Sequence, residues 1–212
     1  IASLVSTLTT ARFGGVTLRS SRLGNGRAAA SVFDAMKTSA SSLRMSHFDI
    51  RGAGMYSGDL ANCVQYIPNC KHMKTLVLSH SLGRMSVMGR DADVNRAFAS
   101  ILSAVRSLPA LEEVQVAGLR LGDEDAVALL SVGRASRSLT CIDVSHNALG
   151  KKTASLLQEG TGGLRMVVAM NCGLSMFDPA KSLPVHLPLT VLDLRGNRIR
   201  RNGAMADARV LV

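Results

Sequence analysis

The chain has 212 residues, a formal net charge of +10, 47% hydrophobic residues and only 3% aromatics. That length and composition exclude a disordered chain and suffice for one domain with a substantial core, filled by aliphatic side chains and Met. No apolar run approaches the roughly 18 residues of a membrane-crossing helix, and the excess of Lys and Arg predicts an acidic partner: a protein surface, anionic lipid or nucleic acid.

Taken in chain order, one apolar pattern returns. Phe13, Val16, Leu18, Ser21 and Leu23 are spaced like Met45, Phe48, Ile50, Ala53 and Met55. Met73, Leu76 and Leu78 open a third copy, in which Leu82 arrives one residue early. Leu111, Val114, Val116, Leu119 and Leu121 follow, then Leu139, Ile142, Val144, Asn147 and Leu149. Leu164, Val167, Ala169, Cys172 and Leu174, and finally Leu189, Leu192, Leu194, Asn197 and Ile199, complete the series. The seven copies start at 13, 45, 73, 111, 139, 164 and 189. Each predicts a short strand with alternate residues inward, then a turn, then a returning helix. Helices are expected at Ala97–Leu108, around Ala126–Leu130 and around Thr153–Leu157, with Asp123, Glu124 and Asp125 at a helix start. Asn147 and Asn197 are expected to bond buried turn backbone; Leu119 cannot, so its turn must be satisfied otherwise.

This series resembles the leucine-rich repeat of the long, helix-bearing, ribonuclease-inhibitor-like type. The resemblance implies an α/β solenoid, a horseshoe with a parallel sheet on the concave face and helices on the convex face. Residues 1–212 are read as a single domain of about seven repeats, with residues 1–10 as the tail helix of a preceding repeat and the chain as a fragment of a longer protein. An alternative reading of the start is a transit peptide, since Arg12, Arg19, Arg22 and Arg27 all precede the first acid, Asp34.

Several motifs tempt towards chemistry. Asp143, Ser145 and His146 lie within four positions, but neighbours along one strand do not make a nucleophile–base–acid relay. Gly24-Asn25-Gly26-Arg27-Ala28-Ala29 matches a dinucleotide fingerprint, yet Gly24 is the same turn glycine as Gly122 and Gly150. Gly160-Thr161-Gly162-Gly163 lacks the Lys of a phosphate loop. His47, His72, His80, His146 and His186 form no ligand cluster. Cys63, Cys70, Cys141 and Cys172 contain no C-x-x-C pair and fit a reducing compartment; Cys63 and Cys70 read as a buried stripe on one helix. No catalytic, metal or cofactor residue is assigned, and the chain is read as no enzyme.

The candidate partner-binding residues are therefore surface ones. Arg195, Arg198, Arg200 and Arg201 form a basic cluster, with Lys151 and Lys152 one edge away. Arg19, Asp49, Arg51, Val77, Glu113, Gln115, Asp143, Met166, Val168, Met170, Asp193 and Arg195 are expected on the concave face. Of these, Met166, Val168 and Met170 are apolar enough to form a partner patch, with Asp143 and Asp193 beside them. Specific nucleic-acid binding is not expected, because stacking aromatics are missing.

The irregular third copy, MKTLVLSHSLGRM, its long insertion, and the order LPALEEVQVAGLRLG, RSLTCIDVSHNALG, GGLRMVVAMNCGLS resemble the later repeats of CARMIL, the linker family of capping protein and myosin-I. SGDLANCVQYIPNCKHMKTLVLSHS is similar to the stretch before them. That resemblance covers about residues 13 to 180 and implies a cytoplasmic scaffold at the cell cortex that docks actin regulators, with membrane contact only through segments outside this chain. The alternatives are a GTPase-activating repeat protein and a structural subunit of a large, for example mitochondrial, assembly.

Overall fold

The computed structural model describes residues 15–18, 45–83, 92–175, 188–201, 204–205 and 209–211. The expected helix at 1–10, the Gly24–Ala29 motif and Arg19 lie outside these residues. The chain divides into two compact units, Ile1–Leu111 and Glu112–Val212.

Among the described residues, unit 1 is built on three strands, β1 (Gly15–Thr17), β2 (His47–Asp49) and β3 (Thr75–Val77), paired in parallel and in that order. Each starts two residues after the leading apolar residue of its copy, and Phe48 and Leu76 point to the core at 0% exposure. Helix α1 (Ser57–Val64) returns the chain after β2 and packs on α2 (Ala92–Ser107). The second helix starts five residues earlier than its apolar spacing implies, as Ala92 replaces Ala97 at its start. Cys63 and Cys70 are both buried, but they do not share a helix. The helix ends at Val64, and Pro68 lies in a separate 3-10 turn over Ile67–Asn69. In the third copy the turn is one residue short: Leu82 bridges Met55, and Gly83 N donates to Met55 O at 2.8 Å.

Unit 2 repeats the plan with the parallel strands β4 (Glu113–Gln115), β5 (Cys141–Asp143), β6 (Met166–Val168) and β7 (Val191–Asp193). Val114, Ile142, Val167 and Leu192, the middle residue of each, are fully buried. Helices α3 (Asp123–Ala135) and α4 (Lys151–Glu159) pack side by side. Helix α3 lies so close to the inner face of β5 that a Cβ on Gly133 would come within 2.6 Å of Ile142 Cδ1. Beyond the parallel stack, β8 (Arg200–Arg201) and β9 (Ala204–Met205) form an antiparallel pair. The last strand, β10 (Arg209–Leu211), pairs antiparallel with β7.

Candidate functional site

Each strand runs into a turn whose geometry recurs. Seven residues after the start of a copy the backbone is left-handed: Gly52, His80, Gly118, His146, Asn171 and Gly196 all have φ between 51° and 71°. Gly fills half of these positions, and His and Asn are among the side chains that tolerate this conformation best. His80 and His146 therefore stand where the turn demands an unusual backbone.

The next position carries the consensus Asn. Asn147 and Asn197 are 5% exposed and fully engaged. Asn147 Nδ2 donates to Val144 O at 2.9 Å within its own turn and to Val116 O at 3.0 Å in the preceding copy, while its Oδ1 accepts from Leu121 N at 2.9 Å. Asn197 does the same for Leu194 O and Ala169 O, and accepts from Cys172 N and Leu174 N. Each Asn thus serves a neighbouring turn that lacks one. Those turns, at Leu119 and Cys172, and the turn at Ala53 contain a second left-handed residue: Arg120 at φ 60°, Gly173 at 76° and Gly54 at 65°. Among the described residues, no second left-handed residue follows Asn147 or Asn197. This is how the turn at Leu119 is satisfied without an amide of its own. Cys172 adds thiol contacts to Met170 O and Val144 O.

The helix after Asn147 has Gly150 at its N-cap, which has no side chain with which to cap it. Asp123, 27 residues earlier, supplies the cap: Oδ1 accepts from Gly150 N and Thr153 N, both at 2.9 Å, and from Thr153 Oγ1 at 2.6 Å, and Oδ2 accepts from Lys152 N. Burial pushes its carboxyl up, but the bonds from Thr153, Lys152 and Gly150 outweigh this and hold it below the ordinary value of 3.8.

On the other face of the strands lie the candidate partner-binding residues. Two residues along each strand from the copy's start, register aligns Glu113, Cys141, Met166 and Val191 in a row across β4 to β7. All four are accessible, and Met166 is 37% exposed. The next row is Gln115, Asp143, Val168 and Asp193. Here the expectation is corrected. Val168 is 9% exposed and Asp193 5%, so neither offers an open side chain. Asp193 is occupied: Arg195 Nε and an Arg195 terminal nitrogen donate to it at 2.9 and 2.7 Å. Asp49 and Val77 in unit 1, expected on the same kind of face, are likewise buried. Met170 is half-exposed, with Arg195 4.0 Å from its Sδ. The apolar patch does not follow Met166, Val168 and Met170 along one strand; it crosses strands through Cys141, Met166 and Val191.

The basic cluster is also redistributed. Arg195 is paired with Asp193, Arg198 is exposed in the turn after Asn197, and Arg200 and Arg201 belong to β8. Lys152 is paired with Glu124. The Asp143-Ser145-His146 segment resolves into turn structure. Ser145 is 3% exposed, its N–H donates to Asp143 Oδ1 at 2.9 Å and its Oγ accepts from Met170 N at 3.0 Å. Among the described residues, no three His, Cys, Asp or Glu side chains are grouped to hold a metal ion, and no helix is long and apolar enough to cross a membrane.

Cys141 and Val191 escaped the sequence reading, which followed side chains along a strand. Comparing the same position across copies would have found both. Cys141 is the one half-exposed thiol; burial, then Glu113 and Asp143, push it up to about 11.

Strand, left-handed turn, buried Asn and returning helix together define an α/β leucine-rich repeat solenoid. In keeping with that fold, the family model for the leucine-rich repeat matches residues 135–157 and 186–206. Among solved structures, an internalin (inlF) from Listeria monocytogenes is similar at a TM-score of 0.36 and 10% identity, over 93% of this chain. This chain covers 64% of that internalin, less than two thirds of its length. A likeness of that degree says nothing of function. Comparison with curated proteins finds no match.

Proposed function

We propose that this chain is a non-enzymatic protein-interaction scaffold that binds partners through the open strand face of unit 2. The observation that supports this reading is the row Glu113, Cys141, Met166 and Val191. It is accessible on a rigid sheet, whereas the polar groups of the adjoining turns are largely consumed by the fold itself. A large apolar side chain held open on a sheet face contributes most when a partner covers it.

The finer reading is a cytoplasmic actin-regulator scaffold like CARMIL. It rests on the order of the copies and the irregular third one, and the net charge of +10 adds long-range attraction for acidic partners. Affinity capture from cell extract, with wild-type chain and a Met166→Glu variant as paired baits, tests both levels. Partners retained by the wild type and lost by the variant support the face. Capping protein or myosin-I among them supports the finer reading. Ribosomal or respiratory subunits in their place would favour an assembly component, and partners indifferent to the substitution would move the site elsewhere.

A further inference from the structure

Three copies place an aspartate at the last residue of the strand: Asp49, Asp143 and Asp193. In each, Oδ1 accepts the N–H of the residue two positions on, at 2.9, 2.9 and 3.2 Å. In two of the three that following residue is arginine, and its guanidinium returns to the carboxylate. Arg51 reaches Asp49 at 3.4 Å, and Arg195 reaches Asp193 at 2.7 Å. At Asp143 the following residue is Ser145, which is turned inward to bond Met170 N. Asp143 is therefore half-exposed and has no cationic partner among the described residues.

Glu113 lies diagonally across from it on β4, where Gln115 is the residue that faces Asp143. Its described polar contact is Gln115, which brings no charge. That both carboxylates bear on one place is visible at Cys141, which lies opposite Glu113 in the register and two residues before Asp143. Both raise its thiol, in addition to burial. So a local anionic spot sits on a chain that is strongly cationic as a whole, and the apolar Met166 and Val191 adjoin it.

We propose, building on the scaffold reading above, that this face docks a short extended segment of a partner protein that places an arginine or lysine between Glu113 and Asp143 and an apolar side chain over Met166 and Val191. The chain's own Asp193–Arg195 pair is the template for the first contact: the partner's cation completes at Asp143 what Arg195 completes at Asp193. Reach is consistent. Strands lie about 4.8 Å apart, so β4 to β7 spans about 14 Å, and an extended segment covers that in about four to five residues. The cation fixes position and register, and the apolar contact supplies most of the affinity.

The test uses fluorescein-labelled hexapeptides carrying one Arg, with Leu two and four residues away, made in both chain directions. Matched peptides replace Arg by Gln or by Glu. Binding to the whole chain is read by fluorescence polarisation, and occupancy by protection of Cys141 from alkylation. The Arg peptide of one direction is expected to bind, the Gln peptide at least tenfold more weakly, and the Glu peptide not measurably. A chain carrying Asp143→Asn and Glu113→Gln should lose the Arg-over-Gln preference; the amide that replaces the Asp143 carboxylate can keep the bond from Ser145 N, so the turn survives. Equal binding of the Arg and Glu peptides, or a preference unaltered in that variant, overturns the charge assignment while protection of Cys141 still upholds the face. If no peptide protects Cys141, the docking inference is wrong, and the scaffold reading stands or falls separately on the Met166→Glu capture.

Discussion

Asn147 holds a turn that is not its own: its Oδ1 accepts the N–H of Leu121, 26 residues earlier, at 2.9 Å. Its amide also donates to Val116 O, Val144 O and Ser145 O in a site 5% exposed. Removing it strands several buried backbone groups, each costing about 1–3 kcal/mol if left unpaired. Asn147→Ala is expected to destabilise the protein by about 3 kcal/mol in urea unfolding. A loss under about 1 kcal/mol would mean water replaces the amide easily and the cross-copy bond is incidental.

Asp123 makes a pH prediction. Its folded pKa lies below the unfolded value, so its contribution is fully present above the ordinary 3.8 and is lost as pH falls through the folded value. Asp123→Ala should cost about 1 kcal/mol at neutral pH, as a lost helix cap does. The difference between variant and wild type should shrink below about pH 4. Paired unfolding curves at pH 7 and pH 3 check this; a gap that widens in acid contradicts the assignment.

Two glycines with similar backbone separate strain from space. Gly162 (φ 60°) and Gly173 (φ 76°) are both left-handed. A Cβ on Gly173 meets nothing within 4 Å, whereas one on Gly162 would fall 2.6 Å from Arg134 O. Gly173→Ala should cost only the left-handed penalty, about 1 kcal/mol, and Gly162→Ala clearly more, because backbone must move. Equal melting temperatures for the two variants would refute this.

His146 offers the sharpest contrast between catalysis and conformation. If its place is set by the left-handed turn, His146→Gly should leave stability unchanged or raised, and His146→Val should lower it by about 1 kcal/mol or more. Chemical unfolding of the two variants decides.

The thiols form an ordered series. Cys141 is half-exposed, while Cys63, Cys70 and Cys172 are buried. All four are raised, Cys141 and Cys172 to about 11, so alkylation at pH 8 should be slow and fall first on Cys141. Glu113→Gln should accelerate it at that pH by lowering the thiol's pKa. An unchanged rate would show that Glu113 does not act on Cys141.

The repeat register was legible in the sequence alone. Apolar residues at fixed spacing can bury only as a strand with alternate residues inward, so β2 to β7 each start two residues after a predicted copy start. Equally legible was that Asn147 and Asn197 serve buried backbone, since a polar side chain at that position has no other use. Which copies they serve emerged only from the packed chain, because a turn without its own Asn at Leu119 or Cys172 borrows from the strand stacked beside it. The surface likewise needed three dimensions. Met166, Val168 and Met170 look continuous in one strand, but cross-strand register buries Val168 between Asp143 and Asp193 and joins Met166 to Cys141 and Val191. Whether an aspartate is free or spent depended on the residue two positions on, Arg195 or Ser145, and on which way the turn points it.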